Sequence, residues 1–316
     1  MTGPTDERRL PDFLIVGAPR CGTTFMYEYL DQHPGVFMSP VKEPNHFATD
    51  LDSGSYLDAI SFMRDRQRYR ALFADARPDQ LTGEASTWHL YSQAAASNIK
   101  AANPDARIII MLRDPIEMMF SLHERRLYGG SEHLRRFEDA LAAEDDRRAG
   151  RQIAPQARNV KGLLYREVAR YASQVERYLD QFGPGRVHVI IFDDFRADPA
   201  RAYRATLEFL GLDATFEPRF EVVNPALERR NLRLHQLAMT SPVQRAARSV
   251  LRGPLGGLVG DAWSRLNTRG KRRLPPDPEL VAGLREELRP DVERLSAMLG
   301  RDLSALWWPA AGSGAR

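Results

Sequence analysis

The stretch Phe13-Leu14-Ile15-Val16-Gly17-Ala18-Pro19-Arg20-Cys21-Gly22-Thr23-Thr24 decides the fold. Its four leading apolar residues carry no polar alternation, the pattern of a short strand buried on both faces, as in a parallel sheet. Gly17 breaks the run, and from Thr23 to His33 the apolar Phe25, Met26, Tyr29 and Leu30 recur at helical spacing. Strand, glycine-bearing turn and helix are therefore predicted in succession. His33-Pro34-Gly35 ends the helix, because Pro cannot continue it and Gly tolerates the turn.

Outward from there the alternation repeats. A short strand at 36–38, a helix over 56–76, a short strand or loop at 81–86 carrying Glu84, and a helix over 94–102 precede the apolar run 107–112, the strongest strand signal in the chain. Arg113-Asp114-Pro115 follows, and Pro at a first helical position opens a helix over 116–126. Residues 129–158 are charge-rich and read as a solvated helix plus a loop; a long amphipathic helix over 162–182, a strand at 187–192 and a helix from Asp198-Pro199 to Gly211 come next. Strands alternating with helices imply an α/β fold, a mainly parallel central sheet with helices on both faces. Beyond Pro218 arginine, proline and glycine rise, and no strand-like apolar run is present. Residues 218–308 are therefore read as a helical C-terminal cover, with an amphipathic helix over 279–299 and an extended basic loop at 269–273. The whole of 1–316 is expected to form one domain with its core at about 11–308.

Composition agrees with a globular chain: 316 residues, 43% hydrophobic and 28% charged. No apolar run approaches the ~18 residues of a membrane span. The polar start, residues 1–11, lacks the apolar segment of a secretory signal, and Cys21 has no partner for a disulfide; the expected compartment is a reducing cytoplasm. A net charge of +3 does not point to nucleic acid. All but Lys42, Lys100, Lys161 and Lys271 of the 45 basic residues are arginine, a bias that suits an anion handler but that codon usage also produces.

The strand, glycine turn and helix resemble a P-loop, in which main-chain N–H groups converge on an anion at a helix N-terminus. The lysine that reaches the outer phosphates of a nucleoside triphosphate is absent, since its position holds Thr23; the cation of this loop is Arg20. A cation inside the turn sits beside one terminal phosphate and its leaving bond, which suits a 5′-phosphate rather than a triphosphate. Two other chemistries are open to the same residues. A phosphatase with Cys21 as nucleophile needs an arginine at position 27, which is Tyr27. A P-loop kinase or NTPase using ATP and magnesium would draw on Asp193 or Asp194 after the 187–192 strand. Arg113 lies at the end of a buried strand, where open α/β sheets bind ligands, with Ser121 about two turns into the next helix.

Gly17-x-Pro19-Arg20-x-Gly22-Thr23-Thr24, Leu30-x-x-His33-Pro34, Lys42-Glu43-Pro44-x-His46-Phe47, Gly83-Glu84, Leu112-Arg113-Asp114-Pro115 with Ser121, Phe192 to Phe195 and Phe209 to Leu212 together resemble the sulfotransferases that use 3′-phosphoadenosine 5′-phosphosulfate (PAPS), and most of all the bacterial members related to heparan-type enzymes. The resemblance implies a P-loop-containing three-layer fold, PAPS as co-substrate and no metal. It implies that Arg20, Cys21, Gly22, Thr23 and Thr24 form the 5′-phosphosulfate loop, that Arg113 and Ser121 take the 3′-phosphate, and that a C-terminal basic residue, Arg230 or one of Arg229 and Arg269 to Arg273, completes that site. Glu43 stands at the position of the catalytic base, with His46 as a competing base. Arg20 departs from the lysine common at its position and cannot give up a proton at neutral pH, so the resemblance leaves it electrostatic stabilisation. Glu84 either structures the site or contacts the acceptor, a purely structural role being equally open; Trp88, His89 and Tyr165 are candidate acceptor or adenine contacts, and no role is carried onto His123 or Arg125. The expected acceptor is a small molecule or saccharide; its identity and the oligomeric state are left open.

Overall fold

In the computed structural model, which describes residues 10–52, 61–220, 227–229, 268–270 and 277–309, the sheet is built from β1 (Phe13–Gly17), β2 (Val36–Met38), β3 (Leu81–Ala85), β4 (Arg107–Leu112) and β5 (Val187–Ile191). All pairs are parallel and the order is β2-β3-β1-β4-β5. Leu14 of β1 lies between Glu84 of β3 and Ile108 of β4. Both faces of the central strands are covered, and Phe13 to Val16 and Ile108 to Leu112 are 0% exposed, which is why neither run shows polar alternation.

The connections carry α1 (Thr23–Asp31), α2 (Arg66–Ala71), α3 (Ala95–Ala102), α4 (Pro115–Gly129), α5 (Phe137–Ala142), α6 (Glu144–Arg148), α7 (Tyr165–Ala169), α8 (Tyr171–Phe182), α9 (Phe192–Ala197) and α10 (Pro199–Leu210); α11 (Pro278–Leu299) and α12 (Leu303–Trp307) follow. Tyr29 of α1 stacks on Phe195 of α9 and meets Tyr203 of α10 edge-on, joining three helices. α8 packs on α3, β4 and α11; Leu284, Leu288, Val292 and Leu295, spaced three or four apart, form the buried stripe of α11. No helix of the described residues is long and apolar enough to cross a membrane.

Four expectations change. Of the 56–76 helix, residues 56–60 lie outside the described residues, Phe62 to Asp65 are irregular, and α2 starts only where Asp65 accepts from the N–H groups of Gln67 and Arg68. The helix expected over 162–182 is broken into a 3-10 turn (Val160–Leu163), α7 and α8; the Gln174 amide donates to the carbonyls of Glu167, Val168 and Arg170 and so satisfies the interrupted ladder. The charge-rich 129–158 segment is not simply solvated. Glu132 and Arg147 are fully buried there in a bidentate pair at 2.7 and 2.8 Å, with the Tyr165 hydroxyl on the same carboxylate at 2.9 Å. Finally, the C-terminal part is not all helix: β6 (Leu227–Arg229) pairs antiparallel with β7 (Thr268–Gly270), so Arg229 and Arg269 stand on a two-stranded ribbon. Arg230 and residues 271–273 lie outside the described residues.

Candidate active site

Arg20, Arg113 and the segment that holds Glu43 follow the ends of β1, β4 and β2. The β1 turn is fastened to β4 by the Ala18 N–H on the Met111 carbonyl at 2.7 Å. Arg20 has φ 65° and Gly22 φ 89°, and a Cβ on Gly22 would fall 2.7 Å from the Phe192 ring, so only glycine fits there. Gly22 is the N-cap of α1 and offers no side-chain acceptor, so the first N–H groups of the helix, at Thr23 and Thr24, face out of its N-terminus. Cys21 points inward. Its thiol lies against the Pro19 carbonyl and the Tyr171 hydroxyl, and burial pushes it up to about 12, which removes it as a nucleophile and leaves only its backbone to the turn.

The Arg20 Nε–H donates to Ser121 Oγ at 3.0 Å, across 101 residues of chain. Two motifs read separately in the sequence thus meet at one point. Arg113, at the end of β4, lies over the Phe192 ring at 5.4 Å and pairs through its Nε with Glu117 at 2.9 Å, one turn along α4. Asp114 caps α4 by accepting from the Ile116 and Glu117 N–H groups, and the Trp308 indole N–H donates to its other oxygen at 3.1 Å. Burial pushes the Asp114 carboxyl up to about 6. Trp307 makes the matching bond to Asp193 at 3.1 Å, while Asp194 is paired by Arg301 through two nitrogens. The two acids that a magnesium-dependent reading would use are therefore engaged by side chains of the C-terminal segment.

Glu43 lies in a turn after β2. Its N–H donates to the Ala85 carbonyl at 2.9 Å, and its carboxylate accepts from the Thr87 N–H at 2.9 Å and from the Thr87 hydroxyl at 3.0 and 3.1 Å. Lys42 pairs with it at 3.3 Å. The carboxylate keeps about a third of its surface, 32%, open to solvent. Both Glu43 and Asn45 have positive φ, 61° and 50°. They are held by the Ser86 hydroxyl, which accepts from the Asn45 N–H at 2.9 Å, and by Arg64, which donates to the carbonyls of Asn45, His46 and Ala48 at 2.7, 2.8 and 2.7 Å. Thr87 and Arg64 carry no motif signal in the sequence, and neither does Trp308.

His46 is packed within the same turn. Its Nδ1 meets the Met63 carbonyl at 2.6 Å, its ring stacks on Tyr69 with centroids 4.0 Å apart, and burial lowers its proton affinity. Among the candidate contacts, His89 and Tyr165 are 0% exposed and belong to the core, as does Glu84; Trp88 carries the Arg126 guanidinium over its ring at 5.0 Å. His123 is buried too, with Nε2 on the Leu134 carbonyl.

A parallel sheet in this order, with a glycine-bearing turn between its central strand and the following helix and an arginine at the end of the next strand, defines an α/β protein of the P-loop-containing fold. Residues 11–218 match the model of the sulfotransferase family, and the chain belongs to that family. It is 28% identical over 210 residues to a human bifunctional heparan sulfate N-deacetylase/N-sulfotransferase 3, covering 65% of this chain and 22% of that one. A human carbohydrate sulfotransferase 15 is 32% identical over 152 residues, 36% of this chain and 27% of its own length. The chain thus spans about a quarter of these curated relatives. A crystal structure of a sulfotransferase from Alicyclobacillus acidocaldarius superposes with a TM-score of 0.71 at 30% identity, covering 94% of this chain and 98% of that one.

Proposed function

We propose that this protein transfers a sulfuryl group from PAPS to a hydroxyl or amine of a carbohydrate, glycolipid or other small acceptor, with Glu43 as the base and no metal. The observation that carries this reading is the meeting of Arg20, from the glycine turn, with Ser121, from the helix that follows Arg113, at 3.0 Å. One nucleotide with phosphates at both ends of its ribose would explain why these two motifs converge. The curated relatives, whose names place them on heparan sulfate and carbohydrate, support a saccharide acceptor.

In the transfer the acceptor oxygen or nitrogen attacks sulfur in line, the bond from sulfur to the bridging oxygen of the 5′-phosphate breaks, and 3′,5′-ADP leaves. Negative charge grows on that bridging oxygen. Arg20 supplies a fixed positive charge beside it, and the N–H groups of Thr23 and Thr24 at the helix N-terminus serve the phosphate and sulfuryl oxygens. The acceptor proton goes to Glu43. Its carboxylate is suited to this because the Thr87 N–H and hydroxyl fix its orientation while part of it stays open. Between the two sequence candidates for the base the geometry supports Glu43, since the His46 ring is stacked on Tyr69 and burial lowers its proton affinity. The kinase or NTPase alternative lacks the loop lysine and finds Asp193 and Asp194 already bonded.

The test is direct. The purified chain should bind 3′,5′-ADP by calorimetry in the presence of a chelator, and with PAPS and a saccharide acceptor should release it without added magnesium. Glu43→Ala should abolish transfer and leave the nucleotide affinity within about twofold. Absence of 3′,5′-ADP binding, or a binding preference for ATP with magnesium, would overturn the proposal.

A further inference from the structure

Trp307 and Trp308, at the end of α12, are both buried, and each gives its indole N–H to an acid in a different strand-to-helix turn. Trp308 donates to Asp114 Oδ2 and Trp307 to Asp193 Oδ2, both at 3.1 Å. The two turns stand side by side, because β4 and β5 are parallel and Leu112 is paired with Ile191 at their ends. Asp114 directly follows Arg113, and Asp193 directly follows Phe192. The Phe192 ring joins both to the glycine turn: it carries the Arg113 guanidinium at 5.4 Å, and a Cβ on Gly22 would fall 2.7 Å from it.

We propose that Trp307 and Trp308 are positioning residues of the nucleotide site: by fixing Asp114 and Asp193 they hold the ends of β4 and β5 against each other and so set Arg113 over Phe192, where the guanidinium meets the 3′-phosphate. The proposal rests on the reading of Arg113 as the 3′-phosphate ligand. Asp114 is held from two sides. Its Oδ1 accepts the Ile116 and Glu117 N–H groups at 2.8 and 3.3 Å and its Oδ2 accepts the indole, so both oxygens are committed next to Arg113. Asp193 takes the indole on Oδ2 and Arg196 at 3.4 Å on Oδ1. The tryptophans are themselves anchored: Arg301 pairs with Asp194 through two nitrogens, Ser296 Oγ accepts the Leu303 N–H at 3.0 Å, and Asp302 caps α12 through the Ala305 N–H at 2.9 Å. Burial of the rings alone would pin α12 to the core, and phenylalanine would do this as well. An indole N–H aimed at a carboxylate adds a direction, which an arginine placed for a phosphate requires of the groups around it.

Trp308→Phe keeps a buried ring and removes the N–H. Its 3′,5′-ADP dissociation constant, measured by calorimetry well below the unfolding transition, should rise about three- to tenfold, while that of 5′-AMP stays within about twofold. Trp307→Phe should weaken both nucleotides, because Phe192 touches the glycine turn as well as Arg113; no change for either removes Trp307 from the proposal. In an Arg113→Ala background Trp308→Phe should alter the 3′,5′-ADP constant by less than about twofold, and losses that instead multiply as independent factors overturn the proposal. In the wild type, labelled with ¹⁵N at tryptophan, the Trp308 indole N–H resonance should shift on titration with 3′,5′-ADP and stay in place with 5′-AMP. That measurement stands even if a variant fails to fold, and a Trp308 resonance indifferent to 3′,5′-ADP overturns the proposal. A pair that only pins α12 would lower the unfolding temperature when changed and leave every one of these constants where it was. Weaker binding by Arg113→Ala but not by Trp308→Phe sinks the positioning role alone; a wild-type chain that binds no 3′,5′-ADP removes the nucleotide reading and this proposal with it.

Discussion

Replacing Glu117 by glutamine should tighten the binding of 3′,5′-ADP. In the proposed site Arg113 serves the 3′-phosphate, yet in the free protein its guanidinium is occupied by the Glu117 carboxylate at i,i+4. The phosphate must displace that carboxylate, so part of its attraction to Arg113 is offset by the pair it breaks. The arginine is 14% exposed and the glutamate 55%, so the pair belongs with solvent-screened ion pairs, for which about 0.3–1 kcal/mol is the appropriate scale. Removing the competitor therefore predicts a dissociation constant lower by about two- to fivefold, at 1.4 kcal/mol per tenfold. Calorimetry on the wild type, Glu117→Gln and Arg113→Ala, with 3′,5′-ADP and with 5′-AMP, measures it. The gain should be confined to the nucleotide bearing the 3′-phosphate and should shrink as salt screens the exposed pair. Equal tightening for 5′-AMP, or no tightening while Arg113→Ala weakens binding at least tenfold, would refute the competition.

Two further predictions concern stability. Burial lowers His89 to about 3 from its ordinary 6.5, so the folded chain binds fewer protons than the unfolded one below pH 6.5; the stability this neutral histidine supports is present above 6.5 and lost as pH falls towards 3. At pH 5 the loss is about 2 kcal/mol, from 1.36 kcal/mol per pH unit over roughly 1.5 units. Urea unfolding between pH 5 and 7.5 should show a shallower acid slope for His89→Gln, whose amide oxygen can still accept the Phe47 N–H; an unchanged slope would remove His89 from the account. Trp308→Phe should lower stability by about 1–2 kcal/mol, because the Asp114 oxygen it serves is left buried without its donor, and thermal unfolding with and without 3′,5′-ADP measures this.

The strands were legible because burial on both faces leaves an uninterrupted apolar run, and β1 and β4 form where those runs lie. Amphipathic periodicity is a weaker guide. Across 162–182 it persists through two breaks, at Leu164 and Arg170, because the phase of the apolar residues survives while the backbone is redirected to bring Tyr165 onto Glu132. Charge density misleads for a related reason. Arg147 and Glu132 read as solvated residues, and only their juxtaposition by α5 and α6 turns them into a buried pair, whose disruption by removal of one partner is expected to cost about 3–5 kcal/mol.

The candidate site divides along the same line. Arg20 and Arg113 were legible because a turn and a strand end fix their place by local rules, and Ser121 by its spacing from Arg113 on the helix that follows. Glu43 could be found by its motif, but not what holds it. A non-glycine residue with φ near +61° immediately before a proline runs against the usual extended preference of that position, and Asn45 adds a second positive φ. Such a backbone persists only where its surroundings over-determine it. Here Ala85, Ser86 and Thr87 grip one side of the turn and Arg64 and Met63 the other, from segments that share no periodicity with it. The residues that fasten the turn from this side, Ala85 to Thr87, directly follow the buried Glu84 in sequence. The strained turn and the orientation of Glu43 are thus one arrangement: the Ala85 carbonyl that holds the turn and the Thr87 N–H and hydroxyl that hold its carboxylate come from the same short segment.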